Sequence, residues 1–422
     1  MTGAKAASTL TRIGKFGWGE KRAMQKFSES LFDMAKIAVM NVVLPLVGAM
    51  AFFLGLMKVA EEAGAMKVIA KLLRPVMVLL FPDIPPTHPA MSAMILNMSA
   101  NALGLGNAAT PFGIRAMEEL DKLNATKGTA TNAMCLVLAI NTSSVTLLPT
   151  GVIAIREALG SEMSAGVLPT TLAATILSTT TAILAAKLYQ RFVPAPEPTD
   201  PEAIASVQAE VASVSGEADE AYPLWVSLLA IAALLTLVPL SLVYGELIGI
   251  WVVPLMVVGF LTFGVVNGVP VYETFVAGAK EGWDVAVRII PFLVTILAMV
   301  GMLRGSGAID DFVNLVGGAT AMVGMPAEAL PMALLRPLSG SGAYGLMMAL
   351  MTEHGPDSYI GFLVSTLQGS TETTFYVLAV YFGAVQVQRV RHGLAAALTA
   401  DAMGIAGAVA ATAAFFTLNG LW

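Results

Sequence analysis

The sequence predicts an all-α, polytopic membrane protein with two related halves and discontinuous helices, transporter-like in plan. Three features predict it. First, of 422 residues 56% are hydrophobic and only 12% charged, with a mean hydropathy of +0.76. A soluble domain carries about a quarter charged residues, so a chain this apolar is stable only where the solvent is lipid. Second, its apolar runs reach spanning length without period-two alternation, which selects helices over a barrel. Third, polar and glycine-rich interruptions recur in the same order in two halves of the chain, the pattern of secondary transporters built from repeats.

Residues 1–30 are expected to be a basic arm (Lys5, Arg12, Lys15, Lys21, Arg22, Lys26). They lack the apolar core and small-residue cleavage site of a signal peptide. The positive-inside rule places the arm in the cytoplasm. Residues 31–192 form a first membrane half, with apolar stretches at 35–57, 88–114, 129–156 and 165–190. Segment 61–75 is amphipathic (Lys67, Lys71 and Arg74 beside Met66, Ile69 and Leu72) and suits the interface. Residues 193–222 hold seven acids and no Lys or Arg (Glu197, Asp200, Glu202, Glu210, Glu217, Asp219, Glu220), with few large apolar residues. They read as an acidic, disordered linker. Residues 223–422 form the second half, with stretches at 223–244, 247–267, 286–303, 329–351, 359–386 and 393–417, and a weaker one at 308–324. The Ala/Gly-rich run 393–411 reads as a tightly packed helix.

Basic residues set a conflict for the topology. Arg115, Lys122, Lys127, Lys187 and Arg191 suggest cytoplasmic loops. If every stretch crosses once, either Arg389 and Arg391 or Lys67, Lys71 and Arg74 fall outside. Re-entrant segments or buried charges would resolve this, and parallel and inverted repeats both stay open.

Four polar clusters interrupt the apolar runs. They are Asn97, Ser99 and Asn101; Asn141, Thr142, Ser143 and Ser144; Arg336, Ser339 and Ser341; and Gln368, Ser370, Thr371, Glu372 and Thr373. Gly and Pro beside them loosen the helix and free backbone groups, which is tolerated at membrane depth only around a buried or wet site. Half-helix ends, amides and hydroxyls there can bind a polar solute or an ion. The other reading is close helix packing through small residues. Glu372 and Arg336 are expensive in lipid, so each is expected to be paired or in water, Glu372 facing the site as a proton or cation ligand. A structural ion pair that fixes register is the alternative role.

Several classes are excluded. Cys135 is the only cysteine, and His88, His354 and His392 lie far apart in sequence, so no metal site is expected. No phosphate loop, HExxH motif or nucleophile constellation is present, which disfavours an ATP-driven pump and an enzyme. The net charge of −6 sits in the linker, and no nucleic-acid partner is expected.

Two long runs carry a resemblance. Residues 83–124 (DIPPTHPAMSAMILNMSANALGLGNAATPFGIRAMEELDKLN) and 140–156 (INTSSVTLLPTGVIAIR) resemble spore maturation protein A. Residues 273–294 (ETFVAGAKEGWDVAVRIIPFLV), 334–345 (LLRPLSGSGAYG) and 355–385 (GPDSYIGFLVSTLQGSTETTFYVLAVYFGAV) resemble spore maturation protein B. The chain looks like a fusion of the two, from about residue 30 to 417. The resemblance implies a nucleoside recognition or gate domain, of the kind assigned to concentrative nucleoside transporters and ferrous-iron transporters. It also implies a multi-pass protein of the bacterial inner membrane. The expected function is secondary transport of a small polar solute, nucleoside-like in the first instance, coupled to H⁺ or Na⁺ with no other cofactor. An ion channel or gate, and a non-transporting scaffold for envelope or spore-maturation functions, are the alternatives. Expected partners are the lipid bilayer, the solute and further copies of the chain in a homo-oligomer.

Overall fold

The computed structural model describes residues 36, 38–104, 109–143, 146–196, 200–213, 220–305 and 308–422. The basic arm and Ser144 lie outside the described residues. A π-helical turn, Ala38–Val43, leads into α1 (Leu44–Glu62), followed by α2 (Ala65–Leu80), α3 (Pro89–Ala102), α4 (Thr110–Lys122), α5 (Asn132–Thr142), α6 (Thr150–Ala158) and α7 (Val167–Tyr189). Then come α8 (Pro201–Ser213), α9 (Leu224–Val243), α10 (Gly245–Val266), α11 (Val271–Gly305), α12 (Ala308–Ala321), α13 (Leu330–Leu335), α14 (Gly340–His354), α15 (Tyr359–Ser370), α16 (Thr374–Ala384) and α17 (Gly393–Leu418). Among the described residues the β-structure is one isolated bridge, Thr129 to Arg389.

Among the described residues four helical segments are long and apolar enough to cross a bilayer: α1, Ser164–Tyr189, α9 and α17. α9 buries little of itself and turns Leu228, Leu229, Leu235 and Leu240 outward, as a lipid-facing helix does. The stretches expected at 88–114, 129–156, 329–351 and 359–386 are each broken in two, at the polar clusters. α5 ends at Thr142 and α6 restarts after Pro149; α15 ends at Ser370 and α16 restarts at Thr374.

The basic residues in conflict gather on one face. The Arg391 guanidinium donates to the carbonyls of Ala130 and Val193, at 2.9 and 2.5 Å. Lys187 reaches the Leu80 carbonyl at 2.9 Å, Lys71 pairs with Glu220, and Arg74 donates to the Pro86 carbonyl at 2.6 Å. His88, before α3, and Glu119, late in α4, meet Glu210 of α8 on this same face. So α3 and α4 form a hairpin whose two ends lie on this face. α13 and α14 form a second hairpin based on the other side, where the Tyr359 hydroxyl donates to the Gly324 carbonyl at 3.1 Å. α5–α6 and α15–α16 run through the molecule in opposite directions between these faces.

The linker differs from expectation. It contains α8, started by Pro201 and by the Asp200 carboxylate, which accepts from the Glu202 amide at 3.0 Å. Composition argued for disorder, but Ala, Glu and Gln are good helix formers and Glu210 and Glu220 find basic partners on the first half.

The two halves share their packing and do not form separate cores. α1 packs most extensively on α11, and α7 on α17. Both large apolar clusters draw residues from either side of the linker, Leu46 and Ile153 with Met347 and Leu363 in one, Met94 and Leu138 with Tyr381 and Phe382 in the other. Arg156 at the end of α6 fastens the halves on the side away from the linker. It is fully buried, with Nη2 2.8 Å from Asp357 and Nη1 2.6 Å from the Pro356 carbonyl and 3.2 Å from the Ser365 hydroxyl. Its guanidinium lies 4.2 Å from the Phe362 ring centroid. Removing one partner of a buried, hydrogen-bonded pair costs about 3–5 kcal/mol. Arg156→Met should therefore lower the melting temperature of the purified protein in detergent strongly, and Asp357→Leu added to it should restore part of the loss. A melting curve for Arg156→Met that overlays the wild type would refute the clamp.

Candidate functional site

The breaks and the hairpin tips meet. In the first half the Leu147 amide donates to Ala102 O, at the tip of the α3–α4 hairpin, at 2.9 Å. In the second half the Phe375 amide donates to Pro337 O, at the tip of the α13–α14 hairpin, at 3.1 Å. The two breaks touch directly: the Glu372 amide donates to Thr142 O, the carbonyl end of α5, at 2.7 Å. Gly104 makes the first contact close enough. Its φ is +72°, and a Cβ there would lie 2.2 Å from the Leu148 carbonyl oxygen.

Arg336 closes the second break. It is 4% exposed, and its Nε donates to Gln368 O at 3.2 Å, Nη1 to the Thr373 hydroxyl at 3.0 Å, and Nη2 to Thr371 O. These carbonyls end α15, where a cation complements the helix dipole and satisfies orphan acceptors. Nη2 also lies 3.5 Å from the Glu372 carboxylate, so the expected Arg336–Glu372 pair forms. Glu372 keeps 36% of its side chain exposed, while Arg336 is sealed.

The first break is closed by amides. Asn101 Nδ2 donates to Asn141 Oδ1 at 2.7 Å. The Tyr381 hydroxyl, from α16, donates to the same oxygen at 3.2 Å and accepts from Asn97 Nδ2 at 3.0 Å. Asn97 Nδ2 also donates to Ala109 O at 2.9 Å, across the hairpin tip. Gly113 leaves room for Tyr381, since a Cβ there would sit 1.9 Å from its hydroxyl. Tyr344 of α14 lies close to Gly151 of α6, whose Cβ would lie 3.1 Å from the Tyr344 hydroxyl.

Not every expected residue turns to the site. Ser99, Thr142 and Ser370 are buried, and their hydroxyls bond back to their own helices, at Ile95 O, Ala139 O and Leu367 O. Ser143 bonds Ile140 O and Thr179 on α7. Ser339 caps α14 through the Gly342 amide at 3.1 Å. Ser341 is partly exposed at the start of α14. Asn97, Asn101, Asn141, Arg336, Gln368, Thr371, Glu372 and Thr373 are brought together. Two buried oxygens among them have no partner, Asn97 Oδ1 and Gln368 Oε1. Orphans of this kind cost about 1–3 kcal/mol each, so they are open valences for something polar.

Sequence reasoning missed Tyr381 and Asp401, and saw Thr374 only as the end of the fourth polar cluster. Thr374 Oγ1 donates to Asp401 Oδ2 at 2.6 Å, and Asp401 is 3% exposed in the middle of α17. A lone acid inside an apolar 26-residue helix was the available signal. His88, Glu119 and Glu210 form the one cluster with metal-like proximity among the described residues. The His88 Nδ1 accepts from the Ala90 amide at 3.0 Å, which puts the ring proton on Nε2, 3.5 Å from Glu210. A ring so fixed points its Nε2 proton at the cluster and offers no lone pair to a metal there.

These features define a polytopic helical membrane protein with two helical hairpins and two broken helices meeting at a polar centre, the plan of transporter-like proteins. Residues 43–159 match the family model described as Gate: Nucleoside recognition. Over 157 residues the chain is 45% identical to spore maturation protein B of Bacillus subtilis (strain 168), covering 37% of this chain and 88% of that protein. Over 176 residues it is 42% identical to spore maturation protein A of the same organism, covering 42% of this chain and 89% of that protein. The chain belongs to the family of spore maturation proteins A and B, fused in one polypeptide. A solved structure of CNTnw in an outward-facing state aligns over 99% of this chain and 86% of that one, at 15% identity and a TM-score of 0.41. So distant a likeness carries no weight for substrate or mechanism.

Tyr381→Phe removes only the hydroxyl that joins Asn97 to Asn141. It should lower stability by about 1–3 kcal/mol, because two buried amides lose a partner. Chemical or thermal unfolding in detergent measures this, and an unchanged midpoint would show that the amide chain holds nothing together.

Proposed function

We propose that this protein is a secondary transporter for a small polar solute, with the crossing of the two broken helices as its binding centre. The support is the direct contact between the breaks, Glu372 amide to Thr142 carbonyl, with both hairpin tips bonded to them. Two half-helices end here and two begin, so partial charges of both signs face one small volume. Asn97, Asn101, Asn141, Gln368 and Thr371 would hold the solute, and Glu372 with Arg336 would respond to it. Most of the amides and hydroxyls are tied to one another in this conformation, with Asn97 Oδ1 and Gln368 Oε1 left open, so on this reading solute entry requires a hairpin tip to withdraw. Inverted hairpins based on opposite faces give each side of the membrane its own gate. On this reading the two halves are diverged inverted repeats, and the driving force is a H⁺ or Na⁺ gradient. The chain is not an enzyme on this reading. The cluster of Lys71, Arg74, Lys187 and Arg391 makes its face cytoplasmic, in the inner membrane.

Nucleosides lead the solutes to test because the matched family model describes nucleoside recognition. The experiment is a thermal-shift screen of the purified full chain with nucleosides, nucleobases, amino acids, small carboxylates and metal ions. Each is tested with and without Na⁺ and at two pH values. A ligand at a hundred times its Kd stabilises the folded state by about 2.7 kcal/mol. A selective shift that disappears in Asn141→Ala and in Glu372→Gln is the expected result. Silence across the whole panel from folded protein would overturn solute binding and leave a channel or a scaffold.

A further inference from the structure

Asp401 is the buried acid that the polar centre does not absorb. It lies in the middle of α17, with Ser178 on α7 bonded to the neighbouring Ala400 carbonyl at 2.9 Å. One carboxyl oxygen accepts from Thr374 at 2.6 Å. The other, Oδ1, is buried and has no hydrogen-bond partner. Thr374 is the first residue of α16, so the carboxyl sits at the start of a half-helix that begins at the second break. Arg336 is the basic group close enough to act on it through space, yet Arg336 spends its donors on Gln368, Thr373, Thr371 and Glu372.

The helices packed on α17 supply little else. α5, α9 and α15 carry no Asp, Glu, Lys, Arg or His. α7 carries Lys187, which is bonded to Leu80 O on the linker face. α16 carries only Tyr376 and Tyr381 as titratable groups. Among the described residues of these helices and the second break, the charge near Asp401 is therefore one guanidinium and two carboxyls, those of Glu372 and Asp401. With Glu372 paired to Arg336, a single negative charge remains on Asp401, enclosed in apolar helices, and an unpaired carboxylate there is very costly. One proton cancels it. A metal cation would not fit as well, because such ions take about six or more oxygens and only the Thr374 hydroxyl joins the carboxyl here.

We propose that Asp401 is a proton-binding site of this protein, with Oδ1 as the protonated atom and Thr374 fixing the carboxyl at the start of α16. This rests on, and deepens, the transporter reading by naming the proton as the coupled ion. Arg336 belongs to the tip of the second hairpin and is the cation nearest the site. Any movement of that tip changes the charge balance at Asp401, so proton binding and hairpin position are thermodynamically linked in both directions.

The test needs no solute. A membrane-permeant carbodiimide attacks protonated carboxyls in apolar surroundings and leaves a stable N-acylurea that peptide mass spectrometry locates. The full chain in lipid nanodiscs would be treated with dicyclohexylcarbodiimide from about pH 5 to about pH 9, with and without Na⁺. Labelling at Asp401 should fall about tenfold or more across that range and be indifferent to Na⁺ at fixed pH. Thr374→Val, which removes one hydroxyl and keeps the shape, should move the pH of half-labelling by about one unit. Protection by Na⁺ at constant pH would make the site a cation site and overturn the proton assignment. So would absence of label at Asp401 while Glu372 is labelled, or a Thr374→Val profile that overlays the wild type. Because labelling is independent of solute, a pH-dependent Asp401 in a protein that binds nothing would leave the proton site standing and sink transport. Solute uptake that is unmoved by pH and by Asp401→Asn would do the reverse.

Discussion

A helix broken inside a bilayer leaves carbonyls and amides with no water to receive them, and the structure is organised around how two such breaks are closed. At 371–373 the carbonyls that end α15 are met by one guanidinium, Arg336, brought from the tip of the second hairpin. At 143–149 the amide of Leu147 is met by the tip of the first hairpin, and the end of α5 by the Glu372 amide of the other break. Neither break is closed by its own half alone. The halves accordingly do not form separate cores, and α1 packs on α11 and α7 on α17.

The same closure explains the charges. Arg336 would be costly in an apolar run unless it had several acceptors, and it has two carbonyls, a hydroxyl and a carboxylate. Arg156 meets the same demand at the outer end of α6, with Asp357 and surrounding carbonyls. Both arginines join a helix to a loop or hairpin of distant sequence. They differ in consequence. Arg156 locks two loops that have no break beneath them, so it is a fixed clamp. Arg336 sits on a hairpin tip, and losing its seat would expose the end of a half-helix.

Much of this was legible in the sequence, and the residues show why. Spanning helices are read from about twenty apolar residues in a row, a local property. The breaks were legible because Asn141-to-Pro149 and Gln368-to-Thr374 concentrate Ser, Thr, Gly and Pro inside apolar runs. The Arg336–Glu372 pair followed from cost: two opposite charges in lipid-length segments need each other. The basic residues that would not fit a simple topology left re-entrant segments and buried charges both open, and the structure folds α3–α4 and α13–α14 as hairpins. Tyr381 was not legible, because its role is set by Asn97, 284 positions away, and by Asn141, 240 positions away. Ser99, Thr142 and Ser370 were over-read: a hydroxyl in a buried helix bonds its own preceding turn when nothing better is offered. Helix α8 was hidden by an acidic composition whose charges are in part partnered by Lys71 and His88.

Asp401 shows a different limit. Its surroundings, AAALTADAMGIAGA, follow the small-residue pattern of close helix packing, and α17 does pack closely, with Gly404 and Gly407 against α7. The pattern is correct and still conceals the acid, because tight packing is what removes water from the carboxyl. A Cβ at Gly404 would lie 2.7 Å from Thr371 Cγ2 and 3.2 Å from Ser178 Oγ, so the glycine lets α17 approach the second break. One feature of the sequence thus serves two ends. The small residues bring α17 against α7 and the break, and that approach places a lone carboxyl beside the start of α16, within reach of the charge on the hairpin tip.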